Sequence, residues 1–187
     1  FSVVISQRFG ANDEKGLRNA VAMSVYLCIA LTVVMTLVST LATRPLLMLM
    51  NTPDDMFADA YNYIFTIFLG MAAPIFYNML AGILRALGDS RTPLYFLILS
   101  SLLNVGLDLL FIITFHIGVV GAAVATIISQ VVSGLLCLLY VAKRFPILRF
   151  QKGDWKLNWS LIGLHLKIGL PMAFQFSITA IGVMAIQ

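Results

Sequence analysis

Long apolar runs without a charged side chain dominate this sequence. No Lys, Arg, Asp or Glu occurs in residues 19–43, 60–84, 109–142 or from 168 to the last residue. A helix rises about 1.5 Å per residue, so about 20 residues cross a bilayer core about 30 Å thick. The runs lack the alternation of polar and apolar positions that is typical of strands, which favours helices. The pattern therefore predicts an all-α fold, a polytopic transmembrane helical bundle.

Turn and cap residues between the runs predict where the helices begin and end. Thr52 is a favourable N-cap, and Pro53 suits the first helical position. Pro74 lies inside the span that follows and lacks an amide hydrogen, so we expect a kink there. A second bend is expected at the Gly-Leu-Pro of residues 169–171. The predicted helical segments are 1–9, 17–43, 53–87, 93–114, about 122–140, and a last one from Leu164 onward.

Composition excludes an ordinary soluble domain. The chain is 60% hydrophobic and 11% charged, with a mean hydropathy of +0.97. Average soluble domains are about 25% charged. The lipid bilayer is therefore the first partner that the sequence predicts.

The basic residues indicate how the spans are oriented. Because successive spans alternate sides, the loops at 8–18, 85–91 and 143–167 share one face of the membrane. These loops hold every Lys and Arg except Arg44. Cytoplasmic loops carry an excess of Lys and Arg, so this face is predicted to be cytoplasmic, in the cell (plasma or inner) membrane. The net charge of +4 is then explained by topology, and no nucleic-acid partner is expected.

The segment after the fifth span combines basic residues with Trp155 and Trp159. Tryptophan is enriched at the membrane–water boundary, so we interpret this segment as lying on the membrane surface. A lipid-specific site or a joint between two halves of the protein would explain the same residues.

One carboxylate, Asp108, lies inside a span, in the stretch SSLLNVGLDLLFIITF. It is 15 residues after Pro93, about 22 Å along the helix, and so falls in the outer half of the membrane. Asn104 and Ser101 precede it by four and seven residues and share its helical face. An ionisable group at this depth is a candidate for ion or proton handling, or else a packing residue hydrogen-bonded to another helix.

Other spans carry polar groups at a similar depth. Counting from the predicted helix ends gives depth but not direction, so each is either packing or part of a cavity around Asp108. Small residues at the start of the fifth span, Gly121, Ala122 and Ala125, are expected to let neighbouring helices approach closely. The candidate cavity-lining residues are Thr126, Tyr63, Tyr61, Thr36 and Ser101.

Motifs for enzymatic chemistry are absent from the sequence. There is no Gly-rich phosphate loop, no His/Cys metal spacing and no nucleophile elbow, so the chain is not expected to be an enzyme, to hold a cofactor or to carry a dedicated metal site. Cys28 and Cys137 fall in apolar runs and are interpreted as packing residues. His116 and His165 are interpreted as incidental.

Several segments together resemble the multidrug and toxic compound extrusion (MATE) family. They are SQRFGANDEKGLRNA (6–20), GILRALGDSRTPLY (82–95), LNVGLDLLFI, GVVGAAVATIISQ, NTPDDMFADAYNYI and KIGLPMAFQ. The resemblance implies a two-lobe transporter of twelve helices. It would place this chain from the end of helix 2 to part of helix 7. The apolar residues at both termini also lead us to expect a segment of a longer protein.

The resemblance implies an antiporter that exports small organic, often cationic compounds by alternating access, coupled to H⁺ or Na⁺. Asn104 and Asp108 match the family's coupling pair on helix 5, and a Na⁺ near Asp108 is one alternative for the ion. Thr126 matches a hydroxyl of helix 6 and Tyr63 a tyrosine of helix 4. An acidic partner on helix 1 is expected outside this sequence.

The resemblance also divides the chain. Residues 1–142 would form the N-lobe, 143–163 a cytoplasmic inter-lobe connection, and 164–187 the start of the C-lobe, in a protein expected to be a monomer at full length. Two alternatives stay open at this point. One is a lipid-linked oligosaccharide flippase of the same superfamily, and the other is a non-transporting structural membrane subunit.

Overall fold

The computed structural model describes residues 2–186, and these form consecutive helices without a β-strand. The helix bounds are α1 Ser2–Gly10, α2 Glu14–Leu49, α3 Asp54–Leu69, α4 Ala72–Ala86, α5 Arg91–Leu109, α6 Val119–Arg144 and α7 Trp159–Ile186. A π-helical turn, Leu110–Thr114, extends α5, and a 3₁₀ turn, Pro146–Leu148, follows α6. The all-α prediction is confirmed.

Four helical segments are long and apolar enough to cross a membrane, and a fifth span results when α3 and α4 are taken together. The axes of α3 and α4 differ by 41°. The predicted kink is therefore present, although it lies at Gly70 and Met71, just before Pro74. The ring of a proline clashes with the carbonyl four residues earlier, which here belongs to Gly70, so the helix breaks on that side of the proline.

Several predicted helix ends are wrong by a few residues. Pro53 is the N-cap residue of α3 rather than its first helical residue, and the Thr52 side chain forms no capping hydrogen bond there. Helix α2 begins at Glu14 and continues through Pro45 to Leu49. Helix α7 begins at Trp159, five residues before the predicted start, and is helical through residues 169–171. The connection between α6 and α7 is thus 145–158, and Lys167 lies inside α7 rather than in a loop.

Two loops each contain an aspartate whose carboxylate accepts a hydrogen bond from a backbone amide three residues later. The Oδ1 atom of Asp13 accepts a hydrogen bond from the Gly16 amide at 2.9 Å, and Oδ1 of Asp89 accepts one from the Thr92 amide at 3.0 Å. Each carboxylate thereby satisfies a free amide at the start of the next helix. Gly88, with φ at +89°, ends α4 because the left-handed backbone lets the Asp89 amide reach the Leu84 carbonyl.

The environment of Asp89 also sets its ionisation. Partial burial works against the charged form, but hydrogen bonds from the Thr92 amide, the Thr92 hydroxyl and the Tyr140 hydroxyl outweigh burial and lower the pKa of Asp89. The Tyr140 oxygen is 3.1 Å from Asp89 Oδ2. The loop before α5 is consequently tied to α6 as well as to its own helix.

Helix α6 lies in the middle of the bundle and packs against α3, α4 and α5. Small residues bring the neighbours close: a Cβ atom at Gly134 would lie 2.8 Å from the Phe76 ring, and one at Gly121 would lie 3.0 Å from Phe111. Ala123 and Ala125 are fully buried. The prediction of close approach along this part of α6 is therefore confirmed for Gly121 and Ala125, while Ala122 is half-buried.

A compact core lies at the end of the bundle where the basic loops meet. It is built from α1, the first half of α2, α4, the end of α6, the connection and the start of α7. Arg18 and Asp154 form a buried ion pair in it, with Nε and Oδ2 2.9 Å apart. His165 is also buried there, with Nε2 3.1 Å from Ser24 Oγ and Nδ1 2.9 Å from the Leu161 carbonyl. The interpretation of His165 as incidental was wrong, because it joins α7 to α2.

Candidate functional site

The candidate site lies where α5 and α6 pack together. The Asn104 side chain on α5 donates a hydrogen bond from Nδ2 to Thr126 Oγ1 on α6, at 3.2 Å. The Thr126 hydroxyl in turn donates to the Ala122 carbonyl at 3.0 Å. Because its proton is used in that bond, the hydroxyl accepts from Asn104, which fixes the amide orientation and leaves Asn104 Oδ1 for a further partner. Two of the predicted site residues are thus in direct contact.

Asp108 lies one helical turn from Asn104, about 6 Å along α5. Its Oδ1 atom is buried and accepts no hydrogen bond from the part of the chain that the structure describes. A buried acceptor without a donor costs free energy, and a buried carboxylate costs more unless it is paired or protonated. The side chain as a whole is half-buried, so the unsatisfied acceptor at Asp108 is its Oδ1 atom.

The helix changes geometry directly after Asp108. Residues Leu110–Thr114 form a π-helical turn, in which the Phe115 amide donates to the Leu110 carbonyl at 3.1 Å, five residues back. Such turns are rare and occur often at functional sites. His116 and Gly118, both with positive φ, then reverse the chain into α6. The hydropathy pattern predicts the end of the span near Thr114 but not the π-helical geometry before it.

A further polar residue, Gln130, was not recognised in the sequence. It follows Thr126 by four residues and so lies on the same side of α6. Its Oε1 atom, like Oδ1 of Asp108, is buried without a hydrogen-bond partner among residues 2–186. The spacing Thr126–Gln130 repeats the spacing Asn104–Asp108, and that repeat was the signal that sequence reasoning missed.

The remaining candidates are not brought to Asp108 by any recorded hydrogen bond. Tyr61 stacks on Phe65 along its own helix, with ring centres 5.6 Å apart, and Tyr63 is 38% exposed. Thr36 is half-buried on α2, where its carbonyl accepts from Thr40. Ser101 is exposed, and its neighbour Ser100 is the buried serine of α5. Cavity lining by these four residues stays a prediction.

The donor set suits a proton or a hard monovalent cation better than a soft metal. The polar groups along this part of α5 and at its contact with α6 are a carboxylate, an amide oxygen and a hydroxyl, which are oxygen ligands. No cluster of three or more His, Cys, Asp or Glu side chains occurs in the described part of the chain. Oxygen ligands of this kind fit Na⁺, and the orphaned Oδ1 atom fits H⁺ equally well.

The arrangement can exist in two states that differ in hydrogen bonding. An ionised Asp108 only accepts hydrogen bonds, whereas a protonated one also donates. Binding of a proton or a cation at Asp108 would therefore change the hydrogen bonds that this side chain can form. A site with this property can bias the packing of two helices, provided that the ion binds one packing better than the other.

The chain matches known proteins along its length. A family model described as MatE matches residues 1–110. The probable multidrug resistance protein YpnP of Bacillus subtilis (strain 168) is 36% identical over 98% of this chain and 41% of its own length.

Solved structures match equally well. An outward-facing multidrug resistance MATE family transporter of the MOP superfamily superposes with a TM-score of 0.85 at 31% identity, over 96% of this chain and 40% of the other. An inward-facing one gives a TM-score of 0.84 at 32% identity, over 91% and 39%. The chain thus spans about two fifths of the length of the transporters it matches.

Proposed function

This chain belongs to the MatE (multidrug and toxic compound extrusion) family, and on that premise we propose that the full-length protein is an antiporter that exports small organic, often cationic compounds across the cell membrane. Export is driven by H⁺ or Na⁺ moving inward. The cation binds at Asp108, assisted by Asn104 and Thr126.

The observation that carries this proposal is the buried, unpartnered Oδ1 atom of Asp108 beside the Asn104–Thr126 hydrogen bond. A carboxylate held in an apolar span without a hydrogen-bond donor is costly for a purely structural protein. A transporter that must bind and release a cation needs such a group. A carboxylate that already accepts its full set of hydrogen bonds would gain little free energy from binding the ion.

The conformational step proposed is alternating access. When Asp108 is loaded, its changed hydrogen-bonding demand favours one packing of α5 against α6 and the helices beyond. The nearly equal similarity to inward-facing and outward-facing relatives supports a lobe that keeps its internal arrangement while the two halves of the protein reorient. Substrate and cation then compete through the conformation that each favours.

Topology and assembly belong to the same proposal. The basic face is cytoplasmic, residues before the connection form one lobe, and α7 begins the second. The full-length protein works as a monomer with H⁺ or Na⁺ as its only coupling partner. The relatives are multidrug resistance proteins, which does not favour the flippase alternative.

The experiment is a transport assay on the full-length protein in proteoliposomes. An imposed pH or Na⁺ gradient should drive accumulation of a fluorescent organic cation, and substrate addition should release the gradient ion in the opposite direction. Accumulation that is unaffected by collapsing both gradients would contradict antiport. A structural membrane subunit would give no accumulation under any gradient.

A further inference from the structure

A cavity lies at the opposite end of the bundle from Asp108. It has a volume of about 650 Å³ and is lined by α2, α4, α6 and the connection 145–158. Its walls are almost entirely carbon, contributed by residues such as Val25, Leu80 and Leu138. The volume is within the range of ligand-binding cavities, about 300–1,000 Å³. The small share of polar atoms in the walls argues against a water-soluble ligand.

The cavity opens sideways toward the surface of the bundle. Ile29 and Leu138, which line it, are 56% and 41% exposed, on helices long enough to cross a membrane. Along α4 it extends from Ile83 back to Phe76, which is ten residues before the helix end at Ala86. Ten residues correspond to about 15 Å, the hydrocarbon depth of one leaflet.

The mouth of the cavity carries a positive charge. Arg149 and Trp155 line it on the connection, and Arg149 has no ion pair within residues 2–186. The only acidic residue of the segment 143–158 is Asp154, which is already paired with Arg18. The segment therefore presents basic residues to the membrane surface with no acidic group to balance them. Tryptophan beside a cationic side chain is typical of the headgroup level.

We propose that this cavity binds one anionic phospholipid of the leaflet on the basic face, with an acyl chain between α2, α4 and α6 and the headgroup phosphate at Arg149. Charge complementarity selects the headgroup, and the carbon walls select the chain. The bound lipid would fill the space between the helices and the connection. The inference does not depend on the transport cycle, and its test leaves the proposed antiport untouched.

The test measures lipid retained by the full-length protein purified in detergent, with dioleoyl phosphatidylglycerol and dioleoyl phosphatidylcholine as probes in native mass spectrometry. The wild type should prefer phosphatidylglycerol. Arg149→Gln should reduce that preference about fivefold, the effect of one basic side chain near the surface. Arg144→Gln is the matched control, since Arg144 is basic and exposed but does not line the cavity.

A second pair of variants tests the chain-binding part. Leu138→Trp should fill the cavity and reduce retention of both lipids, whereas Leu139→Trp, at a 57% exposed neighbour that does not line it, should not. Thermal unfolding of each variant checks that it is folded. Glycerol phosphate should not displace the bound lipid, because it has no acyl chain to pack against the apolar walls of the cavity.

Three results would overturn the proposal. They are equal retention of the two lipids by the wild type, equal effects of Arg149→Gln and Arg144→Gln, and a photoreactive residue at position 138 that crosslinks only to peptides of the same protein. The last would mean that another part of the chain fills the cavity.

Discussion

The guanidinium Nε of Arg18 lies 2.9 Å from Asp154 Oδ2, although the two residues are 136 positions apart. Both side chains are buried, and Asp154 Oδ2 also accepts from the Gln151 amide at 2.7 Å. The pair therefore fixes the connection between α6 and α7 to the start of α2. Any reorientation of the segment that follows α6 must either carry this contact along or break it.

Loss of the Arg18–Asp154 pair should destabilise the protein. Asp154→Asn leaves a buried guanidinium without its main counter-charge, and breaking a buried pair in this way costs about 3–5 kcal/mol. The measurement is thermal unfolding of the full-length protein in detergent. Arg8→Gln is the control, because the Arg8–Asp13 pair is about 40% exposed and solvent screens such surface pairs strongly. Equal decreases in unfolding temperature in the two variants would contradict a structural role for the buried pair.

The hydrogen bonds around Asp89 should make stability depend on pH. Its pKa is lowered in the folded protein, so its contribution is complete above the unfolded value, about 3.9, and is lost as the pH falls through the folded value. Asp89→Asn keeps a capping oxygen but cannot ionise. We expect wild type and variant to differ most near neutral pH and to converge toward pH 3 in thermal unfolding. A difference in unfolding temperature between wild type and variant that grows on acidification would contradict a lowered pKa of Asp89 in the folded protein.

Close packing between α4 and α6 gives a third prediction. Gly134→Ala places a methyl group against the Phe76 ring, and overpacking of this kind costs about 1–3 kcal/mol. Gly163→Ala is the matched control, since nothing lies within 4 Å of a Cβ there and alanine favours a helix. The thermal unfolding temperature should therefore fall for Gly134→Ala and stay unchanged or rise for Gly163→Ala. A neutral Gly134→Ala would mean that Phe76 moves aside freely.

The Asn104–Thr126 contact gives a prediction for transport. Thr126→Val keeps the shape of the side chain but removes the acceptor for Asn104 Nδ2, whereas Thr126→Ser keeps it. Gradient-driven export of a fluorescent cation should fall several-fold in the valine variant, as the loss of a part-buried hydrogen bond of about 1 kcal/mol would produce. The serine variant should retain most of the activity. Similar export by both variants would contradict a role of the Thr126 hydroxyl in transport.

The sequence predicts the helices well because charge-free runs of membrane length have few alternatives. It misplaces their ends where local chemistry decides. The break between α3 and α4 precedes Pro74 because the clash falls on Gly70, and α7 starts early because Asn158 Oδ1 caps it by accepting from the Leu161 amide at 3.2 Å. A hydropathy pattern carries no information on such contacts.

The site was predictable in part for a similar reason. Asp108 and Asn104 stand out because polar groups are costly in an apolar span, and Thr126 follows from the resemblance to a known family. Gln130 was overlooked although its spacing from Thr126 is regular. The Arg18–Asp154 pair and the contact of His165 with Ser24 join residues far apart in sequence, so only the tertiary structure reveals them.

The role of Asp108 is tested most directly by substituting it in the full-length protein. Proteoliposomes with Asp108→Asn are given an imposed pH or Na⁺ gradient, and accumulation of a fluorescent organic cation is followed alongside wild type and Asp59→Asn, an exposed carboxylate of α3. We predict that Asp108→Asn binds the substrate but loses gradient-driven accumulation, while Asp59→Asn behaves as wild type. Accumulation by Asp108→Asn at the wild-type rate would contradict cation coupling at this site.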